Sequence, residues 1–223
     1  MKYNKIILIT FIVLVIIAVI YIIYLQTRPT FHILIATAGR AELRNLLDSL
    51  RGELNSGDAI TIVFDGDKSK NKSGINSEWL KGHNAKITII EQVPSLGYWG
   101  HGIRNKYQEI LEPRCTFIMH ADDDDEYISG SFNKLRWLCS DKSTLYIAKM
   151  IKTIDKTKEE VIIPRQNKEI RINDIGTPNG IVPTSISGKS EWAHKYGGDY
   201  YYYKGLEQYA SVVFLKEIIY KAN

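Results

Sequence analysis

Cys115-Thr-Phe-Ile-Met-His-Ala-Asp-Asp-Asp-Asp-Glu-Tyr127 is the stretch on which the reading of this chain turns. Phe117-Ile118-Met119 is an apolar run short enough for a buried strand, and it ends abruptly in four carboxylates, Asp122, Asp123, Asp124 and Asp125. Four adjacent like charges repel one another, and the stability of a core strand does not ask for them at its end. A hard divalent cation does. Mg²⁺ and Mn²⁺ take oxygen ligands, commonly one or two carboxylates completed by phosphate oxygens of a substrate. The bland alternative is a solvated acidic turn, and the company the run keeps along the chain weighs against it.

Upstream, apolar runs alternate with helical patterns. Phe31-His-Ile-Leu-Ile-Ala36 reads as a buried strand leading into the turn Thr37-Ala-Gly-Arg40. Residues 41–51 place Leu43, Leu46, Leu47 and Leu50 at helical spacing. Ile60-Thr-Ile-Val-Phe64 is a second strand ending at Asp65-Gly-Asp67, and the polar tract 68–76 reads as a mobile loop. Lys86-Ile-Thr-Ile-Ile90 is a third strand, and a helix is expected over 102–111. Such alternation predicts an α/β fold, a mostly parallel sheet flanked by helices. Ligands in such sheets bind beyond the carboxyl ends of the strands, which puts Thr37, Asp65, Asp67 and the aspartates 122–125 on one rim. The second half reads differently, with short strands expected at 145–148, 161–163 and 170–172 and a turn at Thr177-Pro-Asn-Gly180. A short helix is expected at 191–196, the four tyrosines 200–203 alternate faces if extended, and 206–220 predicts a closing amphipathic helix.

Residues 6–25 form a 20-residue run interrupted only by Thr10, Tyr21 and Tyr24. As a helix it would span about 30 Å, the thickness of a bilayer's hydrocarbon core. It is longer than the apolar region of a secretory signal and offers no small-residue cleavage site, so it reads as a transmembrane signal anchor, with a cleaved signal as the alternative. The expected organisation is a cytoplasmic tail at 1–5, the anchor at 6–25, a linker at 26–30 and one domain at 31–223. Lys2, Lys5 and the amino terminus outweigh Arg28, which places the domain on the luminal side.

These three side chains also account for most of the formal charge of +4. Of 29 basic residues they leave 26, against 25 acidic, so the charge does not support nucleic-acid binding. Cys115 and Cys139 have no ligand spacing and read as buried thiols, with a single disulfide as the alternative. Asp65 to Asn76 begins like a calcium-binding loop, but Lys70 and Asn76 stand where glycine and glutamate are needed.

In order, these motifs resemble the GT-A fold glycosyltransferases of the family 2 type. The likeness covers roughly 31–138 well and the C-terminal third loosely. It rests on Ile33-Leu-Ile-Ala-Thr37-Ala-Gly-Arg40, on Val63-Phe-Asp65, on Gly97-Tyr-Trp-Gly-His-Gly-Ile-Arg104-Asn105 and on the aspartate run. The resemblance implies transfer of a sugar from a nucleotide-diphosphate sugar donor to a hydroxyl of a glycan, protein or lipid acceptor, with Mn²⁺ or Mg²⁺ as cofactor. It makes Asp122 and Asp124 the metal ligands; sliding by one gives Asp123 and Asp125 as the rival pair. Thr37, Arg40, Asp65, Arg104, Asp122 and Asp123 become donor-binding residues, with Trp99 and His101 beside them. The family often carries an acidic pair that supplies the catalytic base. Here Gly197-Gly198-Asp199 stands in its place, so Asp199 alone carries over. The rivals are a sugar nucleotidyltransferase, for which Ala36-Thr-Ala-Gly-Arg40 lacks both a Gly-rich loop and an activating lysine, and an inactive, membrane-tethered sugar-binding protein.

Overall fold

The computed structural model describes residues 2–67, 69–108, 115–154, 159–166 and 168–222, except for the side chains of 2–6, 8 and 21–26. The helices are α1 (Lys2–Thr27), α2 (Leu43–Leu50), α3 (Ser69–Ser73), α4 (Ser77–Leu80), α5 (His101–Tyr107), α6 (Ser131–Leu138) and α7 (Gly198–Leu206). The strands are β1 (Phe31–Thr37), β2 (Ala59–Asp65), β3 (Lys86–Gln92), β4 (Phe117–Asp122), β5 (Glu126–Tyr127), β6 (Leu145–Thr153), β7 (Glu160–Ile163), β8 (Gly180–Pro183) and β9 (Val212–Ala222).

The sheet runs in the order β3-β2-β1-β4-β8-β6-β9-β5, with β7 added beside β6. Every residue of β1 is buried, as a central parallel strand covered on both faces must be. Alternate side chains go to opposite faces. Phe31, Ile33 and Ile35 enter one core with the four leucines of α2, each of which gains about 1.5–3 kcal/mol from full burial. Leu34 and Ala36 enter the other, with Ile103, Trp192, Tyr202 and Tyr203.

The expectation of a mostly parallel sheet holds for one half. β3, β2, β1 and β4 are parallel, but β8 runs antiparallel to β4 and to β6, and β7 and β5 are antiparallel to their partners. β9 returns parallel to β6 through a register shift.

Four local expectations are corrected. The tract 68–76 contains α3, whose Ser69 and Ser73 are buried and bond back to Gly66 O and Lys70 O. The closing helix over 206–220 is the strand β9, while the four tyrosines are helical, in α7. Neither 170–172 nor 191–196 forms a regular element. The expected helix at 102–111 is α5, and 109–111 lie outside the described residues. Both cysteines are buried free thiols.

α1 is one continuous helix, and its described large apolar side chains between Ile7 and Ile20 are 44–66% exposed. Among the described residues no helix is long and apolar enough to cross a membrane, so the anchor expectation for 6–25 is not supported there.

Candidate functional site

Parallel pairing brings the ends of three strands together. Ala36 on β1 stands opposite Val63 on β2 and Asp122 on β4, so the residues that follow, Thr37 and Asp123, meet at the rim beside Asp65. A cleft of about 420 Å³ opens there, lined by Thr37, Arg40, Asp65, Trp99, His101, Asp122, Asp123 and Asp124 among others. Six of the seven predicted metal and donor residues before Asp199 therefore converge on it; the seventh, Arg104, sits behind it.

The aspartate run alternates in exposure. Asp123 and Asp125 are 4% exposed, whereas the side chains of Asp122 and Asp124 are 35% and 36% exposed. The first register is the accessible one. Asp123 is taken up by the Thr37 hydroxyl, which donates to it, and by Arg40 Nη1 at 3.2 Å. Thr37 Oγ1 in turn accepts the Gly39 N–H at 2.9 Å, which fixes the turn after β1. Arg40 also pairs with Asp124, whose pKa is nonetheless raised, by burial first and by Asp122 and Asp123 after it.

Asp65 accepts the backbone N–H groups of Leu96 at 2.7 Å and Gly97 at 2.8 Å, and so fixes the loop that forms one wall. In that loop Gly97, Tyr98, Trp99 and Gly100 all have positive φ, from 53° to 82°. For tyrosine and tryptophan this is a strained backbone, of the kind held in place only by its surroundings. The surroundings are visible. Arg104 Nη1 donates to the Trp99 carbonyl at 2.9 Å, and Tyr98 stacks on His194 with ring centroids 4.2 Å apart.

Arg104 is fully buried. Its second guanidinium nitrogen donates to Asp122, and the group lies 5.0 Å from the centre of the Trp192 ring. The expectation that Arg104 contacts a nucleotide directly is corrected by this burial; it ties Asp122 to the strained loop instead. Asn105 clamps the backbone of Trp192, accepting its N–H at 2.7 Å and donating to its carbonyl at 2.9 Å. Nothing in the sequence singled out Ser95, which lines the cleft, or Trp192, which packs behind it, and Thr177 was read only as a turn residue.

Asp199 lies in the first turn of α7, not in the lining of the cleft. Burial raises its carboxyl above the usual range, and Asp122 adds to the rise while Arg104 and Lys152 oppose it. Asp199 therefore shares the electrostatic field of the aspartate run. Its neighbour Gly198 explains the missing second acid: a Cβ there would stand 2.3 Å from His101 Cε1 and 2.6 Å from the Ala193 carbonyl. No side chain fits.

Asp122 and Asp124 offer hard oxygens to the cleft, which suits Mg²⁺ or Mn²⁺ completed by phosphate oxygens. Among the described residues no group of three or more His, Cys, Asp or Glu side chains gathers to hold a metal by itself.

Segment 1–349 of Staphylococcus aureus TarS superposes with a TM-score of 0.66 at 15% identity, over 87% of this chain and 60% of that one. The same segment solved with UDP gives 0.62 at 14% identity, over 86% and 60%. A mannosyltransferase from Pyrobaculum calidifontis, solved with GDP-mannose and Mn²⁺, gives 0.59 at 12%, over 87% and 57%. The fold is GT-A. At these identities the likeness carries the GT-A fold alone, and the chain spans about three fifths of the length of these structures. A 4-diphosphocytidyl-2C-methyl-D-erythritol synthase from Anaerococcus prevotii has a TM-score of 0.50 at 13% identity, over 84% of this chain and 89% of that one. No protein-family model and no curated protein matches the sequence.

Proposed function

We propose that the chain is a metal-dependent glycosyltransferase that moves a sugar from a nucleotide-diphosphate sugar to an acceptor hydroxyl. The observation that carries this reading is the alternation of the aspartate run. It turns Asp122 and Asp124 into a cleft already walled by Thr37 and Asp65 at the ends of parallel strands. Two of the GT-A structures were solved with a nucleotide or nucleotide sugar, which supports such a donor here.

Asp122 and Asp124 would hold Mn²⁺ or Mg²⁺, which supplies Lewis-acid neutralisation of the charge growing on a leaving diphosphate. The chain's own groups do the rest. The Thr37 backbone and the wall fixed by Asp65 seat the nucleoside, Arg40 faces the diphosphate, and Arg104 keeps Asp122 oriented. Asp199 takes the proton of the attacking hydroxyl, a role that its raised pKa suits better than an ordinary exposed carboxylate would.

The deciding test follows thermal stability of the full chain with a panel of nucleotide sugars, with and without Mn²⁺, and then turnover. One donor should stabilise the protein only when metal is present. Asp124→Asn should keep the fold and lose activity by about 2.7–4 kcal/mol of transition-state stabilisation, the scale of one lost oxyanion donor. Unchanged turnover would remove the metal assignment.

The synthase likeness, which spans nearly all of that shorter chain, favours one second reading, a nucleotidyltransferase. Release of pyrophosphate from a nucleoside triphosphate and a sugar phosphate would support it. Stabilisation by a donor without transfer or hydrolysis would instead mark an inactive sugar-binding protein.

Attachment of the domain to a membrane through α1, on its luminal side, belongs to the same proposal. It is supported by the apolar sequence at 6–25 and by Lys2 and Lys5 on its amino-terminal side. Retention in the membrane fraction after an alkaline carbonate wash, with protection of the domain from added protease, would be the result expected.

A further inference from the structure

A second cavity, of about 320 Å³, opens between the ends of β6 and β7 and the segment that follows them. Its polar lining includes Lys152, Thr153, Arg165 and Asn173, and its apolar floor includes Val161 and Ile163. Among the described residues no carboxylate lines it. Among the described residues neither Lys152 nor Arg165 is drawn into an ion pair. Two acids near them along the described chain, Asp174 and Glu160, have partners of their own. Both oxygens of Asp174 accept the Arg165 backbone N–H, at 3.0 and 3.1 Å, and Glu160 pairs with Lys221 at 2.9 Å. Two cations over an apolar floor remain.

The cavity is joined to the cleft by a short, pinned segment. Asn173 lines the cavity and Thr177 lines the cleft. Four residues span at most about 14 Å. Asn179 holds the segment in place, accepting the Gly176 N–H at 2.6 Å and donating to the carbonyls of Ala148 on β6 and Ile163 on β7. Ile172, next to Asn173, faces Gly197 at the start of α7, where a Cβ would meet its Cδ1 at 3.3 Å. Lys152 is close enough to α7 for its charge to act on Asp199.

We propose that this cavity is an acceptor subsite for an anionic group, a phosphate on the same acceptor molecule as the hydroxyl that is glycosylated. This rests on the transferase reading and adds to it the chemical class of the acceptor. Lys152 and Arg165 bind the phosphate oxygens as point charge and fork, Val161 and Ile163 pack against the linking carbons, and the acceptor then runs along 173–177 toward Asp199. The phosphate belongs either to a soluble phosphodiester chain or to a lipid headgroup, and the chemistry recognised is the same.

The test uses the full chain in detergent solution and reads binding of glycerol 3-phosphate against glycerol by calorimetry. Glycerol 3-phosphate should bind and glycerol should not. The K152Q/R165Q variant should bind the phosphate at least tenfold more weakly, and the charge-keeping K152R/R165K variant should retain most of the affinity. In a parallel arm, vesicles containing phosphatidylglycerol are compared with phosphatidylcholine alone. A preference for the anionic vesicles that depends on Lys152 and Arg165, without binding of free glycerol 3-phosphate, assigns the phosphate to a lipid; binding of the free ester assigns it to a soluble acceptor. Equal binding by wild type and K152Q/R165Q in both arms, or no phosphate-dependent binding in either, overturns the proposal. Stabilisation by a nucleotide sugar and Mn²⁺, measured on the wild-type chain in the same solution, keeps the two readings apart. Its absence counts against the transferase and not against the anion site.

Discussion

Asp199 is the residue on which most of the proposed chemistry depends. It begins α7 with one carboxylate oxygen accepting the Tyr200 N–H at 2.8 Å, which leaves the other for a substrate. Asp199→Asn removes the base while keeping shape and that hydrogen bond. Transfer should collapse by about 10²–10⁴-fold, the range of general-base contributions, while donor-dependent stabilisation with Mn²⁺ survives. Loss of donor binding in that variant would move Asp199 out of the base role. At this scale the sequence was informative about residue type and blind to geometry. An aspartate run at a strand end was readable from charge repulsion alone, but which of the four aspartates are exposed to the cleft depended on the turn that follows β4. Arg104 was legible as important and not as buried. Its fully enclosed position follows from Trp192 and Asn105, which lie 87 residues apart along the chain and are neighbours in space.

Among the elements, the loop of four left-handed residues at 97–100 is where strain and site coincide. Gly100 has φ +82°, and a Cβ there would stand 2.7 Å from Ala36 Cβ and 3.1 Å from Arg104 Nη1. Gly100→Ala should destabilise the protein by at least about 1–2 kcal/mol from the left-handed conformation alone. The clash adds to this and pushes on Arg104, so the urea midpoint and the donor affinity should fall together. Other elements show why local pattern misled. Val212, Val213, Phe214, Ile218 and Ile219 favour a strand, yet the apolar positions of β9 do not alternate cleanly, because the register shift against β6 breaks the period of two. The tyrosines 200–203 favour a strand by composition and are helical because Tyr202 and Tyr203 are both needed in the core below β4. Tyr203 packs so closely on Gly180 that a Cβ there would lie 2.0 Å from its ring. Tertiary contact overrode propensity.

Over the whole molecule, one buried ion pair closes the sheet against α6. Arg136 and Asp58 are 3% and 1% exposed, and Asp58 also accepts the N–H of Phe31 at 2.8 Å and of Asn55 at 2.6 Å. Arg136→Met strands that carboxylate and should cost about 3–5 kcal/mol in urea unfolding. Stability should also fall as pH drops below 6.5. Burial lowers the pKa of His83, His101 and His120, so the folded chain keeps these rings neutral where the unfolded chain protonates them. The unfolded state then binds more protons, and their contribution, complete above pH 6.5, is lost toward the folded-state values. Fully buried His120 alone steepens the loss by up to about 1.4 kcal/mol per pH unit. The raised carboxyls of Asp58, Asp124 and Asp199 act in the opposite sense further down, as pH approaches the carboxylate range. Thermal melts between pH 7.5 and 5.5 check the sign, and a flat profile would contradict it.

By itself the sequence determined the parallel half of the sheet, the rim at its carboxyl ends and the carboxylates placed there, because buried parallel strands write continuous apolar runs that stop where the chain meets solvent. Only the tertiary structure decided the mixed half of the sheet, the burial of Arg104, the exclusion of a second acid at Gly198 and the basic cavity at the ends of β6 and β7. Each of these depends on contacts between segments far apart along the chain, and local periodicity carries no record of them.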